Sequence, residues 1–287
     1  MTPSPLLFTI VTPSYNQAAF LPSAIRSVLG QCGVGRLEYI IKDGGSTDGS
    51  IDVIRSFGDR LASWHSGRDG GQTAALNEGF REATGQFVAW INSDDYYIPG
   101  AFEAVLRRFS ALDRPDVVFG YGITVDATGA LIREHRFDDF SVEAFVRLGF
   151  DLHQPSMFIR RERLVRVLPL DVSLRFAMDV DLVARLAMDG ATFARLPRFL
   201  SAFRVHGSSK TSNILDVGRE EARRIRERVH GAISGEAKLR SALALRLRRR
   251  AHIFGRGEWR YALLGGSLWP SSEAKAAARA GLCWDAG

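Results

Sequence analysis

Phe87-Val88-Ala89-Trp90-Ile91-Asn92-Ser93-Asp94-Asp95-Tyr96-Tyr97-Ile98-Pro99-Gly100 is an apolar run of strand length that stops at two adjacent carboxylates. Phe87 to Ile91 has no period-two alternation, so its pattern predicts a strand covered on both faces, with helices above and below the sheet. Asn92 to Asp95 then fall at the strand's carboxyl end, where open α/β sheets leave a crevice for ligands. Pro99-Gly100 restarts the chain as a helix. Two ionised carboxylates side by side repel each other and invite a cation. Hard oxygen ligands on a loop suit Mg²⁺ or Mn²⁺, which would bring the phosphates of a nucleotide within reach. The same pair also suits a helix start, where Asp is a favoured cap, and these residues alone leave both readings open.

Upstream, the pattern repeats. Phe8 to Thr12 reads as a strand, broken by Pro13 and followed by a helical pattern at Phe20, Leu21, Ala24, Ile25, Val28 and Leu29. Glu38 to Lys42 is a second strand that empties into Asp43-Gly-Gly-Ser-Thr-Asp-Gly-Ser50, with helical spacing resuming at Ile51. Leu61 to Ser66 is a third, followed by the loop Gly67 to Gly71 and a helix over Gln72 to Ala83. Strands alternating with helices at this spacing predict a doubly wound α/β half. Downstream, Ala101 to Phe109 reads as a helix, and Asp116 to Tyr121 and Ile123 to Glu134 read as strands meeting around Ala127-Thr128-Gly129. Phe140 to Leu148 and Ala177 to Met188 are helical, Thr192 to Leu196 and Leu200 to Val205 are short strands, and Gly149 to Ile159 is irregular.

The 287 residues are 46% hydrophobic and 24% charged, the balance of a globular chain and not of a disordered one. No apolar run approaches the roughly 18 to 20 residues needed to cross a bilayer, and Leu6 to Val11 is too short and lacks the basic start of a secretory core. The expected location is the cytoplasm. Cys32 and Cys283 lack metal-site spacing, which argues against a zinc site or disulfide framework. Charge is uneven: 15 Lys or Arg face 8 Asp or Glu from Ile214 onward, against 23 and 24 before it. That places the division at a catalytic domain of residues 1–213 and a basic helical extension of residues 214–287.

Val11-Thr-Pro-Ser-Tyr-Asn16, Lys42-Asp-Gly-Gly-Ser-Thr-Asp-Gly49, Asn92-Ser-Asp-Asp95 and Met178-Asp-Val-Asp-Leu182 occur in this order. With them the chain, over roughly residues 8–212, resembles glycosyltransferase family 2, the nucleotide-sugar transferases of the GT-A fold. The resemblance implies a Rossmann-like mixed α/β sheet flanked by helices. It also implies an inverting, metal-dependent transfer of a sugar from a nucleotide-diphospho-sugar donor, UDP-linked, to a hydroxyl of a glycan or lipid-linked glycan. Pro13 and Tyr15 would line the base pocket, Asp43 would recognise the base, and Arg68 and Asp69 belong to a loop that closes over the nucleotide. Asp94 would sit near the ribose and diphosphate and Asp95 on the metal, Mg²⁺ or Mn²⁺, with the division between them open by one residue, so that Asp94 is a metal candidate as well. Asp179 would be the catalytic base; Asp181 lies about 200° further round a helix and cannot share its pocket. His153 and Gln154 match a segment beside the acceptor. Arg204 and His206 match a loop over the diphosphate, and whether His206 also touches the metal is left open. Three positions depart from the family pattern: Gly44 follows Asp43 where many members carry a second acid, Asn92 replaces the outer acid of the metal motif, and Met178 precedes Asp179 where Glu is usual.

In the extension, Arg219 to Val229 and Lys238 to Arg250 have helical composition. Leu239, Leu243, Leu247 and Ala251 form a stripe among arginines, and Trp259 to Trp269 form an aromatic and leucine cluster. Such a segment suits an anionic membrane surface, or packs on the catalytic domain with its arginines solvated. No nucleic-acid-binding motif is present. A nucleotidyltransferase is the rival enzyme, disfavoured by the absence of a glycine-rich triphosphate loop with a lysine; a non-catalytic sugar-nucleotide binder is the rival outside catalysis.

Overall fold

The computed structural model describes residues 6–149, 152–207, 215–233, 247 and 270–285. Its amino-terminal half is parallel: β1 (Leu6–Ser14), β2 (Arg36–Asp43), β3 (Ser63–Ser66) and β4 (Phe87–Trp90) lie in the order β3-β2-β1-β4. The order reverses at β1, so a crevice opens beyond the carboxyl ends of β1 and β4, where doubly wound sheets bind ligands. β4 is buried along its whole length. Phe87, Ala89 and Ile91 enter one core while Val88 and Trp90 enter the other, which is why the run lacks a polar alternation.

Helices α1 (Leu21–Leu29), α2 (Ser50–Ser56) and α4 (Ala101–Phe109) cover the first face through Ile25, Ile54 and Phe102. Phe8 is a hub there, with ring centroids 5.5, 5.2 and 6.0 Å from Phe87, Phe102 and Phe158. Removing each such ring from water contributes roughly 1.5–3 kcal/mol. The second face is covered by α3 (Gln72–Glu82), α6 (Arg161–Val167) and α7 (Met178–Met188), with Leu76, Leu164 and Leu182 buried; α5 (Val142–Leu148) adds Phe145. Gly79 lets α3 approach β1 closely, since a Cβ there would lie 2.4 Å from a Val11 methyl.

Beyond β4 the sheet becomes mixed, continuing β8 (Met157–Arg160), β6 (Val117–Val125), β9 (Phe193–Arg204) and β5 (Tyr96–Tyr97), with β7 (Leu131–His135) paired to β6. β6 and β9 are parallel; the pairs β4–β8, β6–β8, β5–β9 and β6–β7 are antiparallel. Several sequence expectations are corrected here. The strand expected to end at Tyr121 runs on to Val125, and its hairpin turn is closed by Asp126, whose Oδ1 accepts from the amides of Thr128 and Ala130 at 2.8 and 3.0 Å. The two short strands expected over residues 192–205 are one, with register shifts near Tyr121 absorbing an irregularity beside Pro197. The segment expected to be irregular contains β8, and neither β5 nor α6 is announced by the sequence pattern. These elements span two, four and seven residues, too few for a periodic pattern to show.

The extension returns to this body. α8 (Leu215–Ile233) buries Ile225 and Val229, and α9 (Ser272–Gly281) buries Ala274, Ala277 and Ala278, in the same core as Leu182. Cys32 and Cys283 are free and exposed. Among the described residues no helix is long and apolar enough to cross a membrane. Of the basic stripe only the exposed Leu247 is described; Leu239, Leu243, Ala251, Arg240 to Arg250 apart from Leu247, and the cluster from Trp259 to Trp269 lie outside the described residues.

Candidate active site

A cleft of about 680 Å³ opens at the carboxyl ends of β1 to β4. Pro13 and Tyr15 line it from β1, Arg68 and Asp69 from the loop after β3, and Asp94 from the turn after β4. His153 and Gln154 line it from the segment before β8, and Asp179 from the first turn of α7. Eight of the twelve residues singled out in the sequence thus share one cavity; Asp43, Asp95, Arg204 and His206 do not line it.

At one end Tyr15 stands 62% exposed, its ring free to meet a flat ligand. Behind it Asp43 is buried and occupied: Oδ2 accepts from Gly45 N, Ser46 N and Ser66 Oγ at 3.1, 2.9 and 2.7 Å, and Oδ1 from Ser46 Oγ at 2.5 Å. Asp43 therefore shapes the loop, and the acid that reaches the cleft beside it is Asp69. A Cβ at Gly44 would sit 3.3 Å from both Asp69 carboxylate oxygens and from Tyr15 Cδ2. A second acid at position 44 would bring its charge against Asp69, which accounts for the glycine.

The turn after β4 separates its two acids. Asp95 is fully buried, its Oδ1 accepting from Arg204 N at 2.9 Å and its Oδ2 from Asn92 Nδ2 at 3.1 Å. Burial first and the charge of Asp94 second push its pKa well above the usual carboxylate range, against the donors from Arg204 and Asn92. Asn92 can donate to that carboxylate where an Asp could not, and its Oδ1 accepts from Gln72 at 2.7 Å. Asp94 is the carboxylate that faces the cleft, with Oδ2 3.0 Å from His206 Nε2. Of the two acids that the sequence divides between metal and diphosphate, Asp94 is the one that lines the cleft and Asp95 the one turned inward.

The sequence expectation for Arg204 is a place over the diphosphate. Its side chain is instead 3% exposed, and the guanidinium donates to Asp94 O, Ala127 O and Asp285 Oδ1 at 3.1, 2.9 and 3.2 Å. The cation also lies over the Phe20 and Tyr96 rings, 5.0 and 5.3 Å from their centroids. Arg204 braces the turn that presents Asp94.

Asp94 and His206 offer one carboxylate and one imidazole to a metal. Among the described residues no group of three His, Cys, Asp or Glu could hold one. That donor set fits a divalent ion shared with substrate phosphates, because Mg²⁺ and its like are bound through one or two carboxylates plus phosphate oxygens.

At the floor, His153 Nδ1 lies 3.1 Å from Ser201 Oγ and 3.3 Å from Ser156 Oγ. Burial, then the neighbouring His135, push its pKa well below the usual imidazole range, so the ring is neutral. Gly122 makes room for it, as a Cβ there would lie 2.2 Å from Nδ1. Gln154 Nε2 donates to Trp90 O at 3.0 Å, tying this segment to the end of β4. Opposite, Asp179 Oδ1 accepts from Val180 N at 2.8 Å, whereas Asp181 is buried against Arg185, 2.6 Å away, and Arg228. The two acids point to different surroundings, as the helical spacing requires.

Sequence reasoning missed Trp90, Phe176 and Phe203, which add aromatic surface to the cleft, and Gln72, which reaches Asn92. Trp90 carried a signal, being the penultimate apolar residue before the acidic turn. Phe176 and Phe203 carried none.

Residues 9–170 match the model of glycosyl transferase family 2. An uncharacterized glycosyltransferase of Rickettsia typhi is 26% identical over 222 residues, which cover 75% of this chain and 69% of the relative. In two other curated relatives the match spans 58% of one and 21% of the other. The crystal structure of S. aureus TarS in complex with UDP-GlcNAc superposes with a TM-score of 0.63 at 17% identity, covering 90% of this chain and 80% of that one. The mannosyltransferase PcManGT from Pyrobaculum calidifontis, in complex with GDP-Man and Mn²⁺, gives 0.51 at 16% identity over 99% and 88%. At such identities these structures speak for the fold, and the family match covers more than half the chain. The chain belongs to glycosyl transferase family 2 and has its GT-A fold.

Proposed function

We propose that this protein is an inverting, metal-dependent glycosyltransferase that moves a hexosyl group from a UDP-linked donor to a hydroxyl of a glycan or lipid-linked glycan. The observation that carries the reading is that Asp94 and Asp179, separated by 85 positions in sequence, line one cleft. The base would lie against Pro13 and Tyr15, with Asp69 as the acid that replaces Asp43 in contact with it and Arg68 beside it. The diphosphate would lie at Asp94 and His206, which would also hold the divalent ion. When bound, that ion neutralises the charge growing on the diphosphate as the sugar leaves. Asp179 takes the proton from the acceptor hydroxyl as its oxygen forms the new bond to the anomeric carbon. The carbon–oxygen bond to the diphosphate breaks on the opposite face, so the configuration inverts. Neutral His153, held by its serines, and Gln154, held by Trp90, shape the acceptor side without taking a charge.

The test is hydrolysis and transfer with UDP-GlcNAc, UDP-Glc, UDP-Gal and GDP-Man, with Mn²⁺ and with chelator. Turnover of a UDP-sugar that chelator abolishes supports the reading; turnover of GDP-Man alone would move the donor assignment, and no turnover across the set would leave a sugar-nucleotide binder. The basic composition after Ile214 supports peripheral attachment to an anionic membrane, at about 1 kcal/mol per basic residue near the surface. Sedimentation with anionic vesicles at low and high salt tests it, and lack of binding at low salt removes the membrane from the account.

A further inference from the structure

The turn that presents Asp179 is held from the extension. Ala177, at the N-terminus of α7, makes no side-chain cap hydrogen bond. The amides before the helix converge instead on one carboxylate of α8: Arg175 N donates to Glu221 Oε1 at 2.9 Å, and Phe176 N and Ala177 N donate to Oε2, each at 2.9 Å. Three further contacts come from the same face of α8. Arg228 pairs with Asp181, Ile225 is buried in the core that holds Leu182, and Gly218 meets Phe176 so closely that a Cβ would lie 2.3 Å from its ring. Positions 218, 221, 225 and 228 repeat at helical spacing, so one stripe of α8 grips the segment on both sides of Asp179.

We infer that Glu221 is a positioning residue for the transfer reaction. It rests on the reading of Asp179 as the base. Phe176, Met178 and Asp179 line the cleft immediately after the amides that Glu221 gathers. Hydrogen bonds from backbone amides to an ionised carboxylate are among the strong ones, and two shared by a single oxygen leave the segment little freedom to swing. Proton transfer needs the base within hydrogen-bond reach of the acceptor hydroxyl, and a displacement of about 1 Å costs on the order of 10²-fold in rate. The amides concerned lead into α7, away from the strand ends that carry Pro13, Tyr15 and Asp94, so the effect falls on turnover and not on the donor.

The experiment is a double-mutant cycle of Glu221→Ala with Asp179→Asn in the full chain, assayed with the sugar nucleotide of the four above that the wild type turns over. Expected is a drop in kcat of about 10- to 100-fold for Glu221→Ala with donor KM within about twofold, and partial recovery in Glu221→Gln, which keeps one accepting oxygen. In the Asp179→Asn background Glu221→Ala should cost nothing further, because it acts through the group already removed. An unchanged kcat in Glu221→Ala, or the same fold-loss in both backgrounds, overturns the inference. If Glu221→Ala does not fold, Glu221→Gln takes its place in the cycle: a smaller loss of kcat confined to the Asp179 background supports the inference, and no loss, or an equal loss in both backgrounds, overturns it. Normal turnover by Asp179→Asn alone would instead sink the base assignment, and an inactive wild type would sink the proposed function.

Discussion

The turn after β4 and the first turn of α7 each carry two acids, and each sends one into the cleft and one into the protein. At the β4 turn the inward acid, Asp95, is met by an amide and a carboxamide, with no countercharge in direct hydrogen bond to it among the described residues. At α7 the inward acid, Asp181, is met by two arginines. In the first arrangement burial and the charge of Asp94 raise the pKa of Asp95; in the second, two guanidinium charges face the buried Asp181. In both, the inward acid is pinned by its partners, and the outward acid lines the cleft.

The sharpest way to break this comparison is to neutralise each α7 acid in turn. Asp179→Asn should lower transfer by about 10² to 10⁴ with donor affinity nearly intact, since the amide keeps the shape but cannot take the proton. Asp181→Asn should leave turnover per folded molecule near normal and lower unfolding stability by about 2 kcal/mol, the scale of a hydrogen bond to a buried charge. If Asp181→Asn is the inactive one, the two roles are exchanged.

The second test concerns the β4 turn. Asp94→Asn should abolish the stabilisation of bound UDP by Mn²⁺ in thermal shift and cost at least about tenfold in rate, the order of one transition-state charge interaction. Asp95→Asn should keep most activity, because its side chain is held inside the protein by Arg204 N and Asn92 and does not line the cleft. Equal losses in the two variants would mean that both acids serve the ion.

Acid sharpens the contrast from behind the cleft, at His135 on β7, whose ring lies 5.5 Å from that of His153. Burial first, then Arg133, lower the His135 pKa to about 4. In the unfolded chain this ring protonates near 6.5 while the folded protein refuses the proton, so stability is full above about pH 6.5 and is lost as pH falls toward 4. At about 1.4 kcal/mol per unit the loss is on the order of 3 kcal/mol. Urea unfolding between pH 7 and 4 should show it, and His135→Asn should make the curve shallower by that amount; an unchanged curve would return the acid sensitivity to His153 and the carboxylates.

The smallest effect is at the far brace. Asp285 is partly exposed and holds Arg204, so Asp285→Ala should cost about 1 kcal/mol of stability and raise the Mn²⁺ requirement modestly. No change in Mn²⁺ dependence would leave Asp285 as a surface partner only.

The parallel half was legible because each unit is local: a short apolar run, a glycine-rich or acidic break, then a helical pattern. The turn after β4 was legible as a site for the same reason. What could not be read was the direction of Asp94 against Asp95. Adjacent residues in a tight turn differ only in what lies behind them, here Arg204 N and Asn92, and no periodicity reports that. Asp179 against Asp181 was readable, because a helix fixes their relative angle. The mixed half was poorly legible since β5 and β8 exist only through their partners: two and four residues make no pattern until β9, β4 and β6 complete their hydrogen bonds.

By itself the sequence determined the alternation of strands and helices, the loops at the carboxyl ends, and the acidic residues those loops carry, because hydrophobic period and glycine placement act over a few residues. Tertiary structure alone decided which acids face the cleft and what holds them there. Glu221 reaches Ala177 across 44 positions and Asp285 reaches Arg204 across 81, so neither brace leaves a mark in any local window. Such contacts arise where the chain folds back on itself, and their energy depends on distances that composition and spacing do not contain.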